Sequence, residues 1–202
     1  MSLVVAFDLD MTLIDTVPGV SSTLTALGGE LGVELPIEEL TARLGPPLDV
    51  LLEGYLPAEQ MDEAVDRFRV LYVDHAIHAV EAFPGAAESI AAVRRHDGRV
   101  LVVTGKYEPN ARRHVEHLAL DVDLVHGTVV GVGKADVLRR ERASILVGDH
   151  AHDVEGAKAA GVVSVSVLTG GCTEEELVEA GTDVVLADLT VFPDWLDAYL
   201  TV

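Results

Sequence analysis

Six short runs rich in Val, Leu and Ile, each followed by a helical pattern or a turn, constrain this chain more than anything else in it. They are Leu3–Phe7, Arg99–Thr104, Val122–Val125, Ser144–Val147, Val162–Val167 and Asp183–Leu186. Near-continuous apolar runs of this length suit parallel strands covered on both faces. Helical patterns fill the intervals at Pro84–His96, Pro109–Leu118, Lys134–Arg140, Ala151–Ala160 and Thr173–Ala180. Gly161 after Ala160 is a helix stop, and Thr173 with Glu176 three residues on reads as a capping box. Alternating βα units predict an α/β protein with a doubly wound, Rossmann-like parallel sheet.

One stretch breaks the alternation. From Thr16 to Ala82 no strand is expected. Thr16 is placed to cap a helix with apolar positions Val20, Leu24, Leu27 and Leu31. Ala58–Ala79 carries Met61, Ala64, Val65, Phe68, Leu71 and Tyr72 at spacings of three and four, the pattern of an amphipathic helix. A short helix over Leu48–Leu52 follows Gly45-Pro46-Pro47. The expected organisation is a core of residues 1–15 and 83–202, interrupted by an all-helical insertion of residues 16–82.

Charge and cysteine content narrow the function. The chain has 34 Asp+Glu against 14 Lys+Arg, a formal charge of −20 over 202 residues. Nucleic acid and anionic membranes are poor partners for such a surface. No apolar run approaches the ~20 residues that span a bilayer, and two aspartates within the first ten residues argue against a signal peptide. A single cysteine, Cys172, excludes an intramolecular disulfide and a cysteine-rich metal site. A cytoplasmic monomer or homodimer is the expectation.

In an open α/β sheet, ligands sit outside the carboxyl ends of the strands. The first run ends in Asp8-Leu9-Asp10-Met11-Thr12, the second in Thr104-Gly105-Lys106, and the fourth in Gly148-Asp149-His150-Ala151-His152-Asp153. Gly131-Val132-Gly133-Lys134 opens a helix. Four carboxylates, a hydroxyl and a lysine therefore converge on one edge of the sheet. Carboxylates a few ångströms apart do not all ionise cheaply. A hard divalent cation relieves this, and all-oxygen ligation suits Mg²⁺.

The order Asp-x-Asp-x-Thr, Thr, Lys, Gly-Asp-x-x-x-Asp resembles the haloacid dehalogenase (HAD) superfamily. The segments FDLDMTLIDT, FPGAAESIAAVRRHDGRVLVVTGK, GKADVL and GDHAHDVEGAKAAG resemble its phosphoglycolate phosphatase-like branch, whose helical cap follows the first motif. The resemblance covers nearly the whole chain. It implies an Mg²⁺-dependent phosphatase acting on a small phosphorylated metabolite through an aspartyl-phosphate. Asp8 would be the nucleophile and Asp10 the general acid and base, lending its backbone carbonyl to the metal. Thr104 would bind phosphoryl oxygens and Lys134 would neutralise charge on Asp8 and on the phosphoryl group. Asp8, Asp10, Asp149 and Asp153 would form the metal site. The Leu9 and Gly105 amides and Arg43, next to the cap loop, would contact substrate. Met11 departs from the family, which most often has glycine there.

Blander readings stand beside these. The pairs His75/His78, His114/His117 and His150/His152 lack a third ligand at zinc spacing, so surface histidines are expected, with His150 in addition placed to line the site. Lys158 reads as a surface residue, Asp15 as a turn or hinge residue, and Lys106 equally as a rim cation or a solvated side chain. A signalling receiver domain gathers similar residues but has no place for a 65-residue helical insertion. A β-phosphoglucomutase-like isomerase uses the same two aspartates, and a catalytically silent binding protein would retain the fold. Dehalogenases of the fold lack the second aspartate, so Asp10 argues for phosphoryl chemistry. Residues 16–82 contain no lysine, which excludes a cap-lysine Schiff base of the phosphonoacetaldehyde hydrolase kind.

Overall fold

A computed structural model of the chain describes residues 3–201; Met1, Ser2 and Val202, the outer ends of the expected core segments, lie outside the described residues. The sheet comprises β1 (Val4–Phe7), β4 (Arg99–Val103), β5 (Leu124–His126), β6 (Ile145–Gly148), β7 (Val163–Val167) and β8 (Val184–Leu186). Their order is β5-β4-β1-β6-β7-β8, and every neighbouring pair is parallel. This is the doubly wound sheet expected from the alternation. Successive side chains of a strand point to opposite faces. Val5 and Phe7, with Val100, Val102, Ile145 and Val147, pack on one face against α5 (Ala86–Arg95) and α10 (Phe192–Thr201). Val4 and Ala6, with Leu101, Val103 and Leu146, pack on the other against α7 (Lys134–Glu141) and α8 (Ala151–Ala160). Both faces are covered, which is why the strands carry so little polar alternation.

The remaining core helices are α6 (Glu108–His117) and α9 (Glu174–Ala180). Thr173 caps α9 as expected, its Oγ1 accepting from the Glu176 amide while Glu176 accepts from the Thr173 amide at 2.8 Å. Gly161 closes α8 in the left-handed conformation.

The insertion is helical: α1 (Val17–Leu31), α2 (Ile37–Thr41), α3 (Leu48–Leu51) and α4 (Met61–His75). Leu24, Leu27, Leu40, Leu52, Ala64 and Tyr72 form its own apolar cluster, separate from the two beside the sheet. Three details differ from expectation. The Ala58–Ala79 pattern resolves into a 3₁₀ turn at Ala58–Gln60 and then α4, which ends at His75. Thr16 already has helical backbone angles and makes no side-chain cap; the Asp15 carboxylate accepts from the Val17 amide at 3.0 Å instead. A strand does occur within 16–82, because β2 (Ile14–Asp15) pairs antiparallel with β3 (Glu81–Ala82), one on each flank of the insertion. Two residues are too few for a periodic pattern to register.

Tyr72 of α4 is buried, and its hydroxyl lies 3.0 Å from His114 Nε2 on α6. His114 is fully buried, not at the surface as expected, because it shares an inward face of α6 with Asn110 and Ala111. Burial, with the neighbouring Lys106 charge and His117 opposing a further proton and Asp10 favouring one, pushes its imidazole down to about 3 from the ordinary 6.5. Below pH ~6.5 the unfolded chain takes up a proton that the folded chain keeps out, so stability falls with pH through this window. Relative to His114→Gln, which keeps a partner for Tyr72 and does not titrate, the wild type should lose about 2 kcal/mol of stability between pH 8 and pH 5. Urea titrations of both proteins check this; parallel loss in the two would contradict it.

Candidate active site

Strand β1 is the switch point of the sheet: the chain runs from it to β4 and β5 on one side, and to β6, β7 and β8 on the other. A crevice opens at its carboxyl end. Asp8 follows β1 directly, its amide continuing the ladder to the Val147 carbonyl at 2.8 Å. Thr104 and Gly105 follow β4, Asp149 follows β6, and Asp153 lies in the first turn of α8. Lys134 is the first residue of α7.

The side chains meet. Lys134 Nζ, almost fully buried, lies 3.0 Å from Asp8 Oδ1 and 2.5 Å from Asp153 Oδ1. An ammonium opposes the dipole at a helix N-terminus, and these two carboxylates supply the compensating charge. Carboxylate oxygens of Asp8, Asp149 and Asp153 all lie within 4.8 Å of one another. Burial pushes the Asp8 carboxyl up to about 6; Lys134 opposes the rise, and the charges of Asp153 and Asp10 add to it. Burial, then Asp153 and Asp8, likewise raises Asp149 well above the ordinary carboxylate range, against a hydrogen bond from Thr12. One lysine thus faces three crowded carboxylates, an oxygen-only donor set with room for a hard divalent cation. These three residues fit Mg²⁺. The Asp10 carboxylate is not in the group, since it turns away to Lys106 Nζ at 2.8 Å.

Two close approaches explain the local glycines. A β-carbon on Gly148 would stand 2.3 Å from the Asp153 carboxyl carbon. One on Gly170 would overlap Asp149 Oδ2. Met11 has φ 57°, a left-handed conformation that costs a non-glycine residue about 1–2 kcal/mol. It is held by the Met11 amide donating to the Ile14 carbonyl at 2.9 Å and by Thr169 Oγ1 donating to the Met11 carbonyl at 2.5 Å. The backbone requirement behind the family's usual glycine is therefore present, and Met11 bears it.

The site opens into a cavity of about 670 Å³ between the sheet edge and the helical insertion. Asp8, Asp10, Thr104, Gly105 and Lys134 line one side; Gly45, Pro46, Phe68 and Tyr72 line the other. Thr104 is buried, and its Oγ1 accepts from the Lys106 amide at 3.2 Å. The Leu9 side chain is buried in the core and does not line the cavity. Arg43 is not brought to the cavity: its side chain is 60% exposed and its guanidinium turns back to Glu39 at 3.8 Å, while the next residues, Leu44 and Gly45, line the wall. Lys158 is exposed, bonded to the Ala180 carbonyl.

Several site residues were not assigned from sequence. Thr12 Oγ1 donates to Asp149 Oδ1 at 2.6 Å and fixes that carboxylate; its place in the Asp-x-Asp-x-Thr motif was the signal. His150 lines the cavity, as its place in the last motif allowed, and His152, expected at the surface, lines it too. His150 Nδ1 accepts from the His152 amide at 3.1 Å, and its own amide donates to Asp153 at 3.2 Å. Lys106 is a buried cation of the cavity wall and not a solvated side chain, its side chain only 9% exposed. Burial works against its charge, but Asp10 and the Tyr72 phenol group outweigh burial and raise its pKa.

Comparison with known proteins adds to this geometry. The family described as haloacid dehalogenase-like hydrolase matches residues 5–130, and the related HAD-hydrolase-like family matches residues 132–192. The chain belongs to the haloacid dehalogenase-like hydrolase family. Within it, the chain falls in the phosphoglycolate phosphatase-like branch of phosphoric monoester hydrolases. This HAD-like hydrolase is 30% identical to a phosphoglycolate phosphatase of Caulobacter vibrioides, over 90% of its own chain and 85% of that one. It is 29% identical to the tyrosine-protein kinase PtkA of Mycobacterium tuberculosis, over 93% of its own chain and 69% of that one. A haloacid dehalogenase-like hydrolase of Streptococcus pneumoniae shares the fold, with a TM-score of 0.85 at 23% identity over 98% of both chains.

Proposed function

We propose that this chain is an Mg²⁺-dependent phosphatase of a small, phosphoglycolate-like metabolite, working through a phosphoryl group carried on Asp8. One observation carries the reading. Two carboxylates two residues apart each meet a lysine but stand in different settings: Asp8 with Lys134 within the acidic group, and Asp10 outside it, at the cavity wall with Lys106. A carboxylate inside the charged cluster suits attack on phosphorus, and one held outside it at the cavity wall suits proton transfer. The relatives named as phosphoglycolate phosphatases support the substrate class.

In this reading the Asp8 carboxylate attacks phosphorus, and Asp10 gives a proton to the departing oxygen. Asp10 then takes a proton from the water that cleaves the acyl phosphate. Lys134 keeps Asp8 ionised and meets the charge of the phosphoryl group in transfer. Thr104 and the Leu9 and Gly105 amides bind phosphoryl oxygens. Asp8, Asp149, Asp153 and the Asp10 carbonyl would hold the metal, which when bound adds Lewis-acid stabilisation to the same oxygens. Residues 16–82 act as a cap that excludes water and selects the leaving group.

Release of inorganic phosphate from a panel of phosphorylated metabolites tests the reading. Phosphate should appear with Mg²⁺, vanish in EDTA and return on adding Mg²⁺ in excess. Ca²⁺ should give a slower enzyme, because its larger and looser shell spoils the attack geometry. Full activity in chelator would contradict the metal assignment. Transfer to a hydroxyl acceptor, as in a mutase or in the kinase chemistry for which PtkA is named, would consume ester without releasing phosphate.

A further inference from the structure

Lys106 and Tyr72 have no part in the chemistry described so far, yet both are buried beside it. Lys106 follows Thr104 at the end of β4, and its Nζ lies 2.8 Å from Asp10 Oδ1. The same Nζ stands 4.3 Å from the centre of the Tyr72 ring, which is 1% exposed and comes from the helical insertion. The Tyr72 hydroxyl is anchored in turn on His114 of α6, and Asn110 Nδ2 of α6 donates to the Arg69 carbonyl of α4 at 3.3 Å. The Arg69 guanidinium rests 4.8 Å from the centre of the Tyr107 ring. Helix α4 is thus fastened to the core along the path that leads to Lys106.

An ammonium is a compact charge on a flexible four-carbon stem. Enclosed between a carboxylate and the face of an aromatic ring, it loses that freedom. Without it, Asp10 would carry the repulsion of the nearby Asp8 carboxylate with no partner to draw it away.

We propose that Lys106 is a positioning residue for Asp10 and that Tyr72 holds Lys106 in place, so that the seating of α4 on the core sets the aim of the acid. With Oδ1 held by Lys106, Oδ2 is the oxygen left to carry the proton. As the bond from phosphorus to the leaving oxygen breaks, its electron pair stays on that oxygen and the Oδ2 proton passes to it. Asp10 is left as a carboxylate, which the Lys106 ammonium stabilises. The step makes the core chemistry dependent on a cap residue that need not touch the phosphoryl group.

The inference rests on the reading of Asp10 as general acid, and leaving-group dependence tests the two separately. An alkyl phosphate needs a proton on its departing oxygen; p-nitrophenyl phosphate departs as a stable phenolate and does not. The measurement is kcat/KM, which reports the steps up to leaving-group departure, for both esters in wild type, Asp10→Asn, Lys106→Met and Tyr72→Leu. Asp10→Asn should lose on the order of 10²–10⁴-fold on the alkyl ester and far less on the aryl ester. Lys106→Met should show the same split, with a loss of about 10²-fold on the alkyl ester. Tyr72→Leu, which leaves both charged partners in place, should show it at about tenfold, and it supplies the comparison if loss of the buried cation unfolds the protein. Equal losses on both esters in Lys106→Met and Tyr72→Leu, with Asp10→Asn still split, would overturn the positioning role alone. Equal losses in Asp10→Asn would overturn the acid role of Asp10 and this inference with it.

Discussion

Asp8→Asn should reduce turnover on the order of 10⁴-fold or more, the scale of losing a covalent nucleophile. The amide retains the size of the carboxylate, so the loop after β1, fixed by the Asp8 amide bond to Val147 and by the turn bonds to the Leu9 carbonyl, should keep its shape. What disappears is the attacking oxygen. Steady-state phosphate release measures the loss, and thermal melting of the variant checks that the fold survives. Asp10→Asn serves as the contrast: it retains the nucleophile, so it should still accumulate phosphoryl group on the enzyme when given an ester with a good leaving group.

Lys134→Ala should cost about 3–4 kcal/mol of transition-state stabilisation, a loss on the order of 10²–10³-fold in kcat. The lysine is buried between Asp8 and Asp153. Its removal leaves two carboxylates facing each other without their cation, so the variant should also be less stable in EDTA. Breaking a buried pair in this way costs about 3–5 kcal/mol, and Mg²⁺ should return part of it. Lys158→Ala is the control, because Lys158 is exposed and donates to the Ala180 carbonyl at the end of α9, not to a residue of the site. Its rate should stay within about twofold of wild type. Small and equal losses in the two variants would reduce Lys134 to a structural residue. The kcat values and urea midpoints of both, with and without Mg²⁺, make the comparison.

Much of this was legible in the chain because sheet edge and chemistry coincide. The expected strands Leu3–Phe7, Arg99–Thr104 and Ser144–Val147 run into Asp8, Thr104 and the Gly148–Asp153 segment, and closing the strands into one parallel sheet suffices to bring Asp8, Thr104, Asp149 and Asp153 together. Lys134 was legible for a second reason: a lysine opening a helix is out of place unless an anion faces it. Other features depend on tertiary neighbours. Tyr72 counts as one more apolar position of an amphipathic helix until α4 is laid on the core and the ring meets Lys106. His114 looks like a partner of His117 in the sequence, but their rings go to different neighbours: exposed His117 packs edge-on against His78, 4.6 Å away, while buried His114 turns inward to Tyr72. Arg43 lay next to a loop that does reach the cavity, yet the residues after it are the ones that arrive. The two-residue strands β2 and β3 carry no pattern of their own and form only because the insertion begins and ends at neighbouring points.

The central claim is that the phosphoryl group passes through Asp8. It is tested most directly by acid-quenching the enzyme during turnover with Mg²⁺ and a hydrolysed ester, then reducing with borohydride and sequencing the peptides by mass spectrometry. An acyl phosphate on Asp8 predicts homoserine at position 8 in the wild type and none in Asp8→Asn. Rapid phosphate release with aspartate unchanged at position 8, or reduction at another carboxylate, would contradict the account.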